Sequence, residues 1–211
     1  MASSIIHMAV ATEINKKLKY KEKEYLVGSI APDVAKYVGM EKWQTHFQEK
    51  DKDPWPNMKE FEKKYNKYLK DPFTMGYYIH LYTDYFWFKY FISEIKQDWV
   101  EDMEEKGRKY TPEEINSLIY SDYTNLNIQV IDRYKLPLDI FYEKRKLNIP
   151  KYIDEYPYDK TDVIIKEVGK IVENSTCDKK ILFNMNDINA FVKTASELIY
   201  SEIEKFKIKE Q

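Results

Sequence analysis

The chain has 211 residues, 43% of them apolar and 33% charged, with 34 lysines and arginines against 36 acids. That length can bury a substantial core, and the near-neutral balance gives no basic footprint for nucleic acid. One cysteine, Cys177, excludes an internal disulfide and a cysteine-only metal cluster.

Residues 4–19 predict a first helix, because Ile6, Val10, Ile14 and Leu18 recur at four-residue spacing. The charged run Lys16–Glu24 that follows reads as a solvated helix end and connector. In Gly28–Gly39 the pattern breaks: Pro32 disfavours helix at Ala31, which puts Asp33 in a turn or at a helix start. Residues 51–56, with two prolines, form a loop, and a polar helix spans about 57–69.

Asp71-Pro72 opens an aromatic helix that runs to about Val100. Thr111-Pro-Glu-Glu114 has an N-cap, a proline at the first helical position and acid in the first turn, so a helix spans 111–134. Residues 145–160 read as loop, 161–174 as helix, and 186–207 as a last helix with an apolar face from Ile188 to Phe206. Five glycines and no sustained strand alternation point to an all-α fold in one domain. Its candidate ligands lie within residues 1–100, with supporting helices in 101–211. No apolar run approaches the ~18 residues of a membrane span, and no basic segment with a following apolar core opens the chain. The expectation is a cytoplasmic protein.

The three histidines, His7, His46 and His80, all fall in the first 80 residues. His80 and Asp84 are four apart on the aromatic helix, which places their side chains on one face with Cβ atoms about 6 Å apart. An imidazole and a carboxylate so placed form half of a divalent-ion site. Each residue also has an ordinary structural reading. His80–Asp84 can be a buried hydrogen bond, His7 a core histidine, Asp33 an N-cap and His46 a boundary residue. An exposed loop composition surrounds Cys177, with no histidine beside it.

The ordered set His7, Ala31-Pro-Asp33, His46-Phe47 and Gly76-Tyr-Tyr-Ile-His80 with Asp84 resembles the bacterial zinc-dependent phospholipases C. Their helical fold is shared by fungal single-strand-specific nucleases. The resemblance spans about residues 5–90. It implies that Asp33, His46, His80 and Asp84 hold one zinc, that His7 and Asp84 hold a second, and that Asp84 bridges them. It further implies that Asp33 acts as base or orienter for metal-activated water, on a small phosphoester or a phospholipid headgroup, with a phosphodiester favoured over a monoester. Manganese or iron would suit the same nitrogen and oxygen donors.

Two departures from that family stand out. The family begins its mature chain at the metal site, whereas here Met1–Ile6 precede the first ligand. It also has later ligands for a third zinc, and no histidine follows His80. Asp122, Asn125 and Asp132 are the candidates for that third position, against an ordinary reading as exposed polar residues. A reduced ligand set leaves an alternative, a non-catalytic protein in which the ion is structural. Helical phosphohydrolases with an adjacent His-Asp pair are excluded, since Met8, Phe47 and Leu81 follow the three histidines. Substrate choice is expected to lie in loops 48–57 and 145–160.

Overall fold

In the computed structural model the described residues are 2–50, 52–143 and 146–209, with side chains described up to 206. Among them every regular element is helical. In chain order these are α1 (Ser4–Leu18), α2 (Lys23–Gly28), a 3₁₀ turn (Ala31–Val34), α3 (Ala35–Val38), α4 (Lys42–His46) and α5 (Met58–Tyr65). They continue with a second 3₁₀ turn (Asn66–Tyr68), α6 (Pro72–Phe86), a π-helical turn (Trp87–Phe91), α7 (Ile92–Glu105), α8 (Pro112–Tyr134), α9 (Asp139–Tyr142), a third 3₁₀ turn (Tyr158–Lys160), α10 (Thr161–Glu173) and α11 (Met185–Lys209).

The helix starts follow from the cap chemistry in the sequence. Asp71 Oδ1 accepts from the Thr74 amide at 2.9 Å, and Pro72, without an amide hydrogen to leave unpaired, takes the first helical position. Thr111 and Glu114 form a reciprocal capping box with bonds of 3.2 and 2.7 Å. Ser3 Oγ accepts from the Ile6 amide at 3.2 Å and starts α1. The short helices α2, α3, α4 and α9 carry too few residues for a period to register.

Helix α6 is the axis of the molecule: every residue from Phe73 to Asp84 is buried. It packs against α1, α2, α5 and α11, and α1 is itself buried on all sides from Ser4 to Ala11. The stripe of α1 marks only one of its faces, because α8 and α11 cover the others. Each fully buried Ile, Val or Met there contributes about 1.5–3 kcal/mol of transfer free energy. One continuous apolar core results, joining α1 and α6 to residues of α8, α10 and α11. Trp87, fully buried, meets Phe191 of α11 edge-to-face at 4.8 Å.

Helices α2 and α6 touch backbone to backbone. A Cβ on Gly76 would lie 2.0 Å from the Tyr25 carbonyl oxygen, and one on Gly28 would lie 2.1 Å from that of Phe73. Only glycine allows this approach. It brings the residue after α2, Ser29, against the middle of α6.

The aromatic helix differs from its expectation. It does not run unbroken to Val100, since the π turn over Trp87–Phe91 separates α6 from α7, which continues to Glu105. Such wide turns concentrate at functional sites, and this one starts three residues after Asp84. Residues 146–157 are irregular as expected; position 145 lies outside the described residues.

Candidate metal centre

Four elements bring five buried side chains to one point: His7 from α1, Asp33 from the 3₁₀ turn, His46 from the end of α4, and His80 and Asp84 from α6. None is more than 4% exposed. Pro32 lies in the first turn of the 3₁₀ segment, which begins at Ala31, and Asp33 beside it is buried. Phe47, in left-handed conformation at φ 54°, ends α4 immediately after His46. Its ring packs against Phe61, Tyr65 and Tyr77, and that packing offsets the strain of a non-glycine residue in this region.

Backbone carbonyls fix the imidazoles of His80 and His46. His80 Nδ1 lies 2.8 Å from the Ser29 carbonyl oxygen, and a carbonyl can only accept, so Nδ1 carries the proton. His46 Nδ1 sits 3.2 Å from the Lys42 carbonyl and 3.0 Å from Thr45 Oγ1. Thr45 Oγ1 already donates to the Pro32 carbonyl at 2.8 Å, so it too accepts from His46. Both Nε2 atoms therefore present lone pairs, and they face each other at 3.3 Å.

Around those lone pairs the carboxylates close the site. Asp33 Oδ1 lies 3.5 Å from His46 Nε2 and 3.9 Å from His80 Nε2. Asp84 turns one oxygen to each neighbour: Oδ1 is 3.3 Å from His7 Nε2, and Oδ2 is 3.7 Å from His46 Nε2. Donors bonded to zinc at about 2.0–2.1 Å in a tetrahedron are separated by ~3.3 Å, close to these spacings. Two triads satisfy the requirement of mutual proximity, His7–His80–Asp84 and Asp33–His46–His80.

The polar accounting favours an ion. Both nitrogens of His7 and Oδ1 of Asp33 are buried without a hydrogen-bond partner, which is costly unless something else engages them. Burial, and then the His7 ring stacked 3.7 Å away, push His80 well below the usual histidine range. Burial first and the Lys42 ammonium second push His46 down. Neutral imidazoles are what a divalent ion requires. At Asp84 burial works to raise the carboxyl, and the Lys42 ammonium and the His7 contact act together against it, holding the group ionised well below its ordinary range.

Residues 4–88 match the family model of zinc dependent phospholipase C. All five expected ligands lie within that stretch. No curated protein and no solved structure matches the chain. The zinc-dependent phospholipase C match thus covers α1 to the start of the π turn, the segment that builds the cluster.

Outside the match, the third-ion candidates lie elsewhere. Asp122 is buried, but its carboxylate accepts from the amides of Ile181, Leu182 and Phe183 at 2.8, 2.7 and 3.2 Å, so it anchors the loop before α11. Asn125 holds Thr176 Oγ1 at 2.6 Å and faces the Lys179 carbonyl. Asp132 is 79% exposed and pairs with Lys135. None joins the metal triads. Cys177 is exposed.

Three supporting groups were invisible in the sequence. Ser4 Oγ donates to Asp33 Oδ2 at 3.0 Å, the Ala2 amide donates to Asp84 Oδ1 at 3.0 Å, and Lys42 Nζ lies 3.2 Å from Asp84 Oδ2. Ser4 and Lys42 sit in short polar contexts with many equivalents, and Ala2 acts through its backbone.

A cleft of about 610 Å³ is lined by Trp55, Phe88, Lys96, Tyr120 and Tyr123 among others, and by none of the five clustered side chains. Lys42 Nζ lies 4.7 Å from the Phe88 ring centre, and Lys36 Nζ 5.7 Å from that of Tyr120. Loop 48–57 supplies Pro54 and Trp55 to this wall. Residues 146–160 are not among those lining it. Tyr156 and Tyr158 pack on Phe73 of α6 at 5.1 and 5.9 Å, and Tyr65 Oη accepts from the Asp154 amide at 3.1 Å. Among the described residues no helix is long and apolar enough to cross a membrane.

Proposed function

We propose that this protein is a metal-dependent hydrolase of a phosphoester, a phosphodiester in preference to a monoester, with His7, Asp33, His46, His80 and Asp84 as the metal ligands. A single observation carries the reading: two imidazoles with fixed tautomers point lone pairs at each other beside two carboxylates. One or two zinc ions there, or manganese or iron, would supply a Lewis acid that polarises a phosphoryl oxygen and acidifies water.

The chain's own groups have distinct tasks. The Ser29 and Lys42 carbonyls orient the imidazoles, as outer partners of ligating histidines do. Asp84, with one oxygen toward His7 and the other toward His46, would serve as a shared ligand if two ions were bound. Asp33 has one oxygen held by Ser4 and the other unpartnered, so it can orient an attacking water and accept its proton. The lysine-rimmed, aromatic-walled cleft suits an anionic substrate such as a small phosphoester or a lipid headgroup.

Metal-depleted and zinc-reconstituted protein, assayed with bis(p-nitrophenyl) phosphate and p-nitrophenyl phosphate, tests this. Turnover that requires the metal and favours the diester is expected. Zinc-loaded protein inert toward both esters would sink the catalytic reading. That outcome would leave the structural one, which has its own support. The ligands come from four separate elements and are almost wholly buried, so an ion would staple α1 and α4 to α6.

A further inference from the structure

The residues of the cluster are 5% exposed or less at their side chains, but Lys42, which touches it, is 31% exposed. Its ammonium stands 3.2 Å from Asp84 Oδ2 and 4.7 Å from the centre of the Phe88 ring, a wall of the cleft. It thus reaches from the buried ligands to Phe88 at the edge of the cleft. Its backbone serves separately: the carbonyl orients His46.

An ion and this ammonium compete for the same oxygen. When a divalent cation takes Asp84 Oδ2, a second positive charge at hydrogen-bond distance is repelled, and the flexible four-carbon stem lets it withdraw. The Phe88 face is within reach as a resting place. A phosphoester also needs cationic partners for its non-bridging oxygens, whose charge grows during displacement. The third-ion candidates Asp122, Asn125 and Asp132 are engaged elsewhere.

We propose that Lys42 is the phosphate anchor of this site: its ammonium leaves Asp84 as the ion binds and then holds a non-bridging phosphoryl oxygen at the mouth of the cleft. This rests on the phosphoesterase reading and adds to it the group that binds the substrate's anion.

The test uses wild type, Lys42→Met and Lys42→Arg, with three measurements on each: zinc affinity by chelator competition, binding of inorganic phosphate to the zinc-loaded protein by calorimetry, and bis(p-nitrophenyl) phosphate kinetics. Melting temperatures confirm that each variant folds. Lys42→Met should bind zinc as tightly as wild type or tighter, and bind phosphate about tenfold or more weakly, the effect of losing a charged hydrogen bond. Lys42→Arg should retain phosphate binding within a few-fold. Unchanged phosphate affinity in folded Lys42→Met overturns the anchor while leaving the hydrolase reading intact. Loss of zinc together with phosphate overturns it too, because Lys42 then merely supports Asp84. Wild-type protein that binds zinc but neither binds phosphate nor turns over the ester overturns the underlying reading, and the anchor with it.

Discussion

His46 Nε2 and His80 Nε2 lie 3.3 Å apart, and neither carries the proton that would make this a hydrogen bond. Two lone pairs held face to face in a dry interior repel. A cation between them converts that repulsion into two bonds. Metal should therefore stabilise the fold as well as support chemistry. An ion that binds only the native state at one hundred times its dissociation constant adds about 2.7 kcal/mol. Chelation followed by thermal melting should show a drop of several degrees, restored by zinc. An unchanged melting temperature after verified removal of metal would count against the site.

Asp33→Asn should separate binding from catalysis. The His7–His80–Asp84 triad does not include Asp33, and asparagine keeps an oxygen for Ser4. The variant should retain at least one zinc and its melting temperature to within a few degrees. Its turnover should fall by about 10²-fold or more, the usual contribution of a positioned base. Metal content by elemental analysis together with kcat decides it; undiminished kcat would assign the proton to another group.

The pair His80 and Asp84 was legible in the sequence because helical spacing alone puts i and i+4 on one face. His7, Asp33 and His46 were legible only as an ordered set. Nothing local tells that α1, the turn and α4 fold onto α6. The groups that tune them were not legible, for a physical reason. Ser29 and Lys42 act on the imidazoles through main-chain carbonyls, which every residue possesses. At Asp122 the sequence offered an ion ligand or an exposed polar residue, and it is neither: the side chain is buried and holds three amides, a role that depends on a loop far off in sequence. The caps at Asp71 and Thr111 were legible because their chemistry is contained within four residues. By contrast, the π turn carries Trp87, whose ring packs on Phe91 and on Phe191, a residue far off in sequence.

Gly76→Ala should damage fold and site together. Its methyl would enter 2.0 Å from the Tyr25 carbonyl oxygen, a backbone atom that cannot rotate away. Overpacking of this kind costs about 1–3 kcal/mol or more. Separation of α2 from α6 would also draw the Ser29 carbonyl off His80, and loss of such an outer partner weakens metal affinity about 10–100-fold. Gly39→Ala is the comparison: nothing lies within 4 Å of its Cβ, so it should leave zinc affinity unchanged despite some strain from its φ of 71°. Chelator competition and melting of both variants check the contrast. Equal zinc affinity in the two would show that the close helix contact does not set the imidazole.

Acid should destabilise the metal-free protein well before its carboxylates titrate. His46 is pushed down by burial and then by Lys42, and His80 well down by burial and then by His7. In the unfolded chain a histidine titrates near 6.5. Below that pH the unfolded state binds protons that the native state refuses, so stability falls as pH falls, by at most about 1.4 kcal/mol per pH unit for each histidine. Asp84 does not contribute in this window. Its lowered carboxyl gives stability that is fully present above the unfolded value near 3.9 and is lost only as pH drops further. Melting of metal-free protein from pH 7.5 to 5 should show the decline beginning near 6.5. His46→Gln should make the decline shallower whatever it does to the absolute melting temperature. A flat profile over that range would mean that the buried imidazoles accept protons in the native state, and the lone-pair cluster would have to be redrawn.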